Sequence, residues 1–157
     1  MAAFDHYLHT IIVRAEQEAR DDASATIEAH HLLLAIAGER EAGTQGILAS
    51  VGLDRAAIRD ALDREFEHSL STVGVSATAF DFPPPSGGSD HPKMGASAKL
   101  VLERGFGSVV RKKDLRPEHL LLGVALAEAG TVPRALAIAG VDQADLKARV
   151  LRATAGE

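Results

Sequence analysis

Apolar residues recur along the first third of the chain at helical spacing. Leu8, Ile11, Ile12, Ala15 and Ala19 fall on one face of a helix. A second helix is predicted from near Thr26 or Glu28, carrying Leu32, Leu33, Leu34, Ile36 and Ala37. Gly38 and the Gly43–Gly46 region punctuate it. A short helix through Ile47, Leu48 and Ala49 follows and stops at Gly52, a natural residue just past a helix end. Asp54 then reads as the N-cap of a helix with Ile58, Ala61, Leu62 and Phe66 on its apolar stripe. No segment alternates long enough to predict a sheet.

The stretch from Glu67 to Lys93 breaks this pattern. It contains Pro83-Pro84-Pro85, Gly87-Gly88 and several Ser and Thr residues, which cannot continue a helix. It is read as a linker, with Phe80 and Phe82 as candidates to dock onto the body.

Beyond the linker the first pattern returns. Shifted by 88 residues, the stretch from Glu28 to Ile58 lies on that from Arg116 to Leu146 without a gap. His31-Leu32-Leu33-Leu34 matches His119-Leu120-Leu121-Leu122, and Ala37 matches Ala125. Leu48, Ala49, Gly52, Asp54 and Ala56 match Leu136, Ala137, Gly140, Asp142 and Ala144. The chain therefore reads as a tandem duplication of a four-helix unit. The expected fold is all-α: two pseudo-twofold-related repeats, about eight helices, packed as one globular domain. Residues 1–66 form the first repeat, 67–93 the linker and 94–157 the second repeat. Each unit alone is too small to bury much apolar surface.

Composition narrows the chemistry. Of 157 residues, 46% are hydrophobic and 25% charged, an ordinary globular balance. Aromatic residues are 4% and the net charge is -5, which argues against stacking on bases or general affinity for phosphate backbones. The absence of cysteine excludes disulfides, thiolate metal sites and a cysteine nucleophile. No apolar run is long enough to span a bilayer, and no signal peptide is recognisable, so a cytoplasmic protein is expected. No Ser, His and Asp spacing supports a catalytic triad, and no cofactor motif is present.

The repeated motif carries a family resemblance. Pro117-Glu118-His119-Leu120-Leu121-Leu122-Gly123-Val124 is close to T-E-H-I-L-L-G-L, and Ala15-Glu16-Gln17-Glu18-Ala19 is similar to A-Q-E-E-A. Ala98-Lys99-Leu100-Val101-Leu102-Glu103 matches A-K-K-V-L-E. The chain resembles the Clp N-terminal domain, the double repeat at the front of ClpA- and ClpC-type AAA+ unfoldases. No G-x-x-x-x-G-K-[ST] phosphate loop accompanies it, so the resemblance implies an N-domain without its ATPase modules, either stand-alone or a piece of a longer product.

That resemblance implies a non-enzymatic protein- or peptide-binding module. Its expected partners are Clp unfoldase or protease components, their adaptors and substrates, and cyclic-peptide antibiotics, with no nucleic acid and no membrane. In ClpC-type domains the Thr-Glu pair of each repeat is implicated in recognising phosphorylated arginine. Here Ala29-His30 and Pro117-Glu118 stand in those places, so His30 and Glu118 are candidate ligand residues. The resemblance also implies a groove between the repeats, beside the first helix, in which Lys99 and Glu103 are candidate partner-binding residues. Met1 and Met94 fall where Phe is common in that groove.

Three bland alternatives accompany these sites. His31 and His119, kept in both repeats, are expected to serve the architecture by hydrogen bonding near a helix start. Lys99 and Glu103, at i and i+4, are expected to form a surface ion pair. Arg111-Lys112-Lys113 with Arg116 reads as a solvated basic loop. A different reading takes His6, His9, Glu28, His30 and His31 as a small metal site, prompted by the E-x-x-H spacing of Glu28 and His31.

Overall fold

Two short helices are apolar almost all round, and their burial organises the molecule. The computed structural model describes residues 3–72 and 91–155. The first repeat holds α1 (Ala3–Asp21), strand β1 (Thr26–Ile27), α2 (Ala29–Gly38), α3 (Ala42–Ser50) and α4 (Arg55–Thr72). The second holds β2 (Lys93–Met94), α5 (Ala96–Phe106), a 3-10 turn at Lys112–Asp114, α6 (Pro117–Ala125), α7 (Thr131–Ile138) and α8 (Gln143–Ala155). The all-α expectation holds. No helix among the described residues is long and apolar enough to cross a membrane.

In α2 every residue from His31 to Ala37 is buried, and in α6 every residue from His119 to Ala125. A helix with no polar face must be covered on all sides. The two pack on each other, and each repeat supplies part of the other's cover. α1 and α4 flank α2 as α5 and α8 flank α6. Across the junction α4 packs on α7 as α8 packs on α3, and α2 reaches α7 as α6 reaches α3. Every cross-repeat contact of this kind has its counterpart, so a pseudo-twofold axis passes between α2 and α6.

The punctuation repeats with the helices. Gly52 and Gly140 adopt φ of 77° and 78°, which residues with a Cβ rarely adopt. Each closes a Schellman turn, with Leu53 N–H donating to Leu48 O and Val141 N–H to Leu136 O, both at 2.9 Å. Asp54 accepts from Ala57 N–H at 2.7 Å and Asp142 from Ala144 N–H at 2.9 Å, so both cap the next helix. Ile11, Ala15 and Ala19 are buried as their spacing predicts.

Three expectations need correction. The helix containing Phe66 does not stop there but runs to Thr72, six residues into the stretch read as linker. Phe66 itself, expected on the buried stripe, is 56% exposed. Of the two starts expected for the second helix, Glu28 holds as its N-cap and Thr26 does not: Thr26–Ile27 pairs in parallel with Lys93–Met94, with Gly95 N–H donating to Ile27 O at 2.8 Å. Two residues per strand are too few for a period-two signal, and this pairing ties the end of the linker to the start of α2. Phe80, Phe82 and Met1 lie outside the described residues.

Glycine sets the spacing of α5 and α6. A Cβ on Gly105 would lie 2.7 Å from His119 O, and one on Gly123 would overlap Val101 O. Gly46, by contrast, is exposed within α3 with open space around it. Gly123→Ala is expected to destabilise the protein by about 2–3 kcal/mol through forced separation of the helices. Gly46→Ala is expected to stabilise it by about 0.5–1 kcal/mol. Urea unfolding midpoints of the two variants check both signs.

Candidate functional site

Several side-chain hydrogen bonds converge on the start of α2. Glu28, the N-cap, is extended (φ -113°, ψ 174°). Its N–H donates to His31 Nδ1 at 2.9 Å. Since Nδ1 accepts, Nε2 carries the ring proton, and it lies 3.0 Å from Asp22 Oδ2. Asp22 also meets Arg59 at 3.3 Å. Burial raises the Asp22 pKa, but the His31 bond and the Arg59 charge outweigh it and hold the carboxyl below its ordinary range. In the second repeat His119 Nδ1 accepts from Arg116 N–H at 2.9 Å. Both histidines therefore do the architectural work expected of them.

The two repeats differ beside that shared cap. Glu28 accepts the hydroxyls of Thr26 and Ser97, the latter at 2.6 Å, and Ser97 Oγ accepts from Ala29 N–H at 2.8 Å. Burial again raises the Glu28 pKa, and the hydroxyl bonds win and keep it ionised. Its counterpart Arg116 instead donates to the carbonyls of Ala153 and Thr154 at the end of α8.

His30 stands two positions after Glu28, its ring 4.1 Å from that of His31. Burial, reinforced by His31, pulls its pKa down to about 4, so it is neutral near pH 7. It forms a common rim of two hollows. One, of about 480 Å³, lies between the start of α2, α5 and the α6–α7 loop, and includes Glu28, Ser97, Leu100, Val101, Arg104 and Glu128 to Val132. The other, of about 360 Å³, lies against α4, with Asp22, Arg59, Leu62, Asp63, Glu65 and Phe66. Thr131, the first residue of α7, lines both.

The other candidates are scattered. Glu118, the counterpart of His30, faces the start of α3, where a Cβ on Gly43 would lie 2.7 Å from its Oε2. Tyr7 fills the space there beside Thr44, Glu41 and Glu118, and burial pushes its phenol well above the ordinary range. Those three residues are the counterparts of Val132, Ala129 and His30, so Tyr7 occupies the twin of the first hollow. Lys99 and Glu103 are exposed on α5 and form no salt bridge with each other, contrary to the ion pair expected. Their neighbours Leu100, Val101 and Arg104 face the hollow instead. Met94 is half-buried against the core.

The proposed metal ligands do not converge as a set. His6 and His9 are exposed near the start of α1, with roughly 20 Å of helix between them and Asp22. Asp22, His30 and His31 do come within 4.8 Å of one another. His31, however, has both ring nitrogens committed, Nδ1 as acceptor and Nε2 as donor, and offers no free lone pair to an ion. The E-x-x-H spacing here serves the helix cap.

Sequence reasoning missed Asp22, Leu100, Arg104, Glu128, Thr131 and the exposure of Phe66. Only the last two had a signal, since Gly130-Thr131 marks a helix start and Phe66 falls near the end of its helix.

A family model described as the Clp repeat (R) N-terminal domain matches residues 3–106. No curated protein matches the chain.

The chemistry of His30 predicts a pH response. Its folded pKa of about 4 lies below the ordinary 6.5, so between those values the unfolded chain binds a proton that the fold refuses. Stability therefore falls as pH drops through that window. The lowered pKa of His119 acts in the same direction. Asp22 and Glu28 lose their contribution lower still, as pH falls below the ordinary carboxylate range. His30→Gln is expected to flatten the slope between about pH 6.5 and 4. Urea midpoints measured across that range test it, and an unchanged slope would contradict the assignment.

Proposed function

Because the chain belongs to the Clp repeat N-terminal domain family, we propose that it is a non-enzymatic docking module of the Clp system. It recognises partner proteins or peptides at the junction of its repeats and performs no bond chemistry. The observation that carries this reading is the pair of hollows meeting at His30, flanked by the exposed apolar side chains Leu100 and Phe66. Open apolar surface beside a few fixed polar groups is what a protein-binding site requires.

The polar groups near the cleft favour this over catalysis. Ser97 donates to Glu28 and accepts from Ala29, and His31 holds Asp22 and the Glu28 N–H. Neither is placed as a nucleophile–base pair. Phosphoarginine recognition is disfavoured at the first repeat, because its phosphate would enter a hollow lined by the carboxylates of Glu28 and Glu128. Glu118 keeps the carboxylate in the second repeat, but Tyr7 fills the space beside it.

Such a module serves as an adaptor or substrate-recognition factor for Clp proteolysis, or as a decoy that sequesters ligands of the unfoldase N-domain, cyclic-peptide antibiotics included. Immobilised protein is expected to retain a Clp unfoldase, adaptor or protease component from the host lysate. Leu100→Asp, at an exposed position, is expected to cut that retention about tenfold. Retention of no Clp component would contradict the reading. Tight binding of a cyclic peptide directed at Clp N-domains selects the decoy role.

A further inference from the structure

We propose that the cleft accepts an unmodified, extended peptide segment in which basic side chains alternate with apolar ones. This inference rests on the docking reading above and names the chemistry of its partner. Three observations converge on it.

The first is charge. The first hollow is lined by Glu28 and Glu128 against Arg104, and the second by Asp22, Asp63 and Glu65 against Arg59. Arg134 offsets Glu65 at 2.7 Å, and the exposed pair Lys99 and Glu103 cancel each other on the flanking face of α5. Arg59 is shared between Asp22 and Asp63, both at 3.3 Å. Arg104 donates to Leu126 O at 3.0 Å. An excess of two carboxylates remains across the paired hollows. Glu128 is exposed and forms no salt bridge with any described residue. With His30 uncharged, nothing else on the rim offsets that excess.

The second is the backbone. The first turn of α7 is capped by Gly130, at φ 99°, which has no side chain to accept its N–H groups. Gly130, Thr131 and Val132 line the hollow. A peptide carbonyl can accept from those N–H groups without bringing a negative charge past Glu28 and Glu128. A free anion cannot.

The third is the apolar surface. Leu100 is 45% exposed on one side of His30 and Phe66 56% exposed on the other. An extended chain crossing His30 meets apolar and acidic surface in turn, which matches alternating apolar and basic side chains.

The test is fluorescence anisotropy of the intact protein with three labelled peptides of equal length, alternating Leu with Arg, Ser or Glu. The Arg/Leu peptide is expected to bind at least about tenfold more tightly than the Glu/Leu peptide, with the difference shrinking as salt is raised. Glu128→Lys is expected to weaken Arg/Leu binding about fivefold. Asp60→Lys makes the same charge change at an exposed position outside both hollows, and is expected to weaken it less than about twofold. Leu100→Ser is expected to weaken all three peptides. Equal binding of the Ser/Leu or Glu/Leu peptide would overturn the basic preference while leaving the docking reading intact. So would equal effects of Glu128→Lys and Asp60→Lys. Failure of all three peptides to bind, with a Clp component still retained on the column, would overturn this inference alone.

Discussion

Everything in this fold follows from having two helices with no polar side. His31 to Ala37 and His119 to Ala125 are buried without interruption, so neither α2 nor α6 can rest at a surface. One repeat does not hold enough helix to enclose its own apolar rod. The two rods lie against each other, and the short helices α3 and α7 cross to cover the opposite rod. That exchange puts the start of α7 beside the start of α2. The cleft is thus a consequence of how the core is closed.

Enclosing α2 and α6 also fixes what their ends must do. The first N–H groups of each helix point out of an apolar environment and need acceptors. A histidine at the third position answers this twice, through the same Nδ1 contact at 2.9 Å. Once that residue is fixed, its neighbours are free to diverge. Glu28 ties α2 to α5 through Ser97, whereas Arg116 ties α6 to the end of α8. His30 leaves a hollow open where Glu118 has Tyr7 packed beside it. A symmetric scaffold thereby carries an asymmetric surface, with an open cleft at His30 lined by residues of both repeats.

How far the sequence revealed this depends on the length scale of each feature. The repeat was legible because ten identities kept one offset, and most of those residues cap a helix or pack in the core in both halves. His31, Gly52 and Asp54 were legible because each performs a local task within its own helix end. The β1–β2 pairing was not, since two residues carry no period, and its partners are separated by the whole of α2 to α4 and the linker. The cleft was legible only at His30. Leu100 and Arg104 on α5, Asp22 after α1 and Glu128 in the α6–α7 loop come from three separate segments, and only the packing around the start of α2 brings them near. Lys99 and Glu103 were one position away from the residues that face the hollow, which is the error expected when a helix face is chosen without its neighbours.

The central claim is that neither repeat can enclose its own apolar helix. Residues 3–72 produced alone, and followed by circular dichroism and amide NMR during heating, test it most directly. The account predicts poor amide dispersion and no cooperative transition, with order restored when the second repeat is added. A cooperative transition and native-like dispersion in the isolated repeat would contradict it.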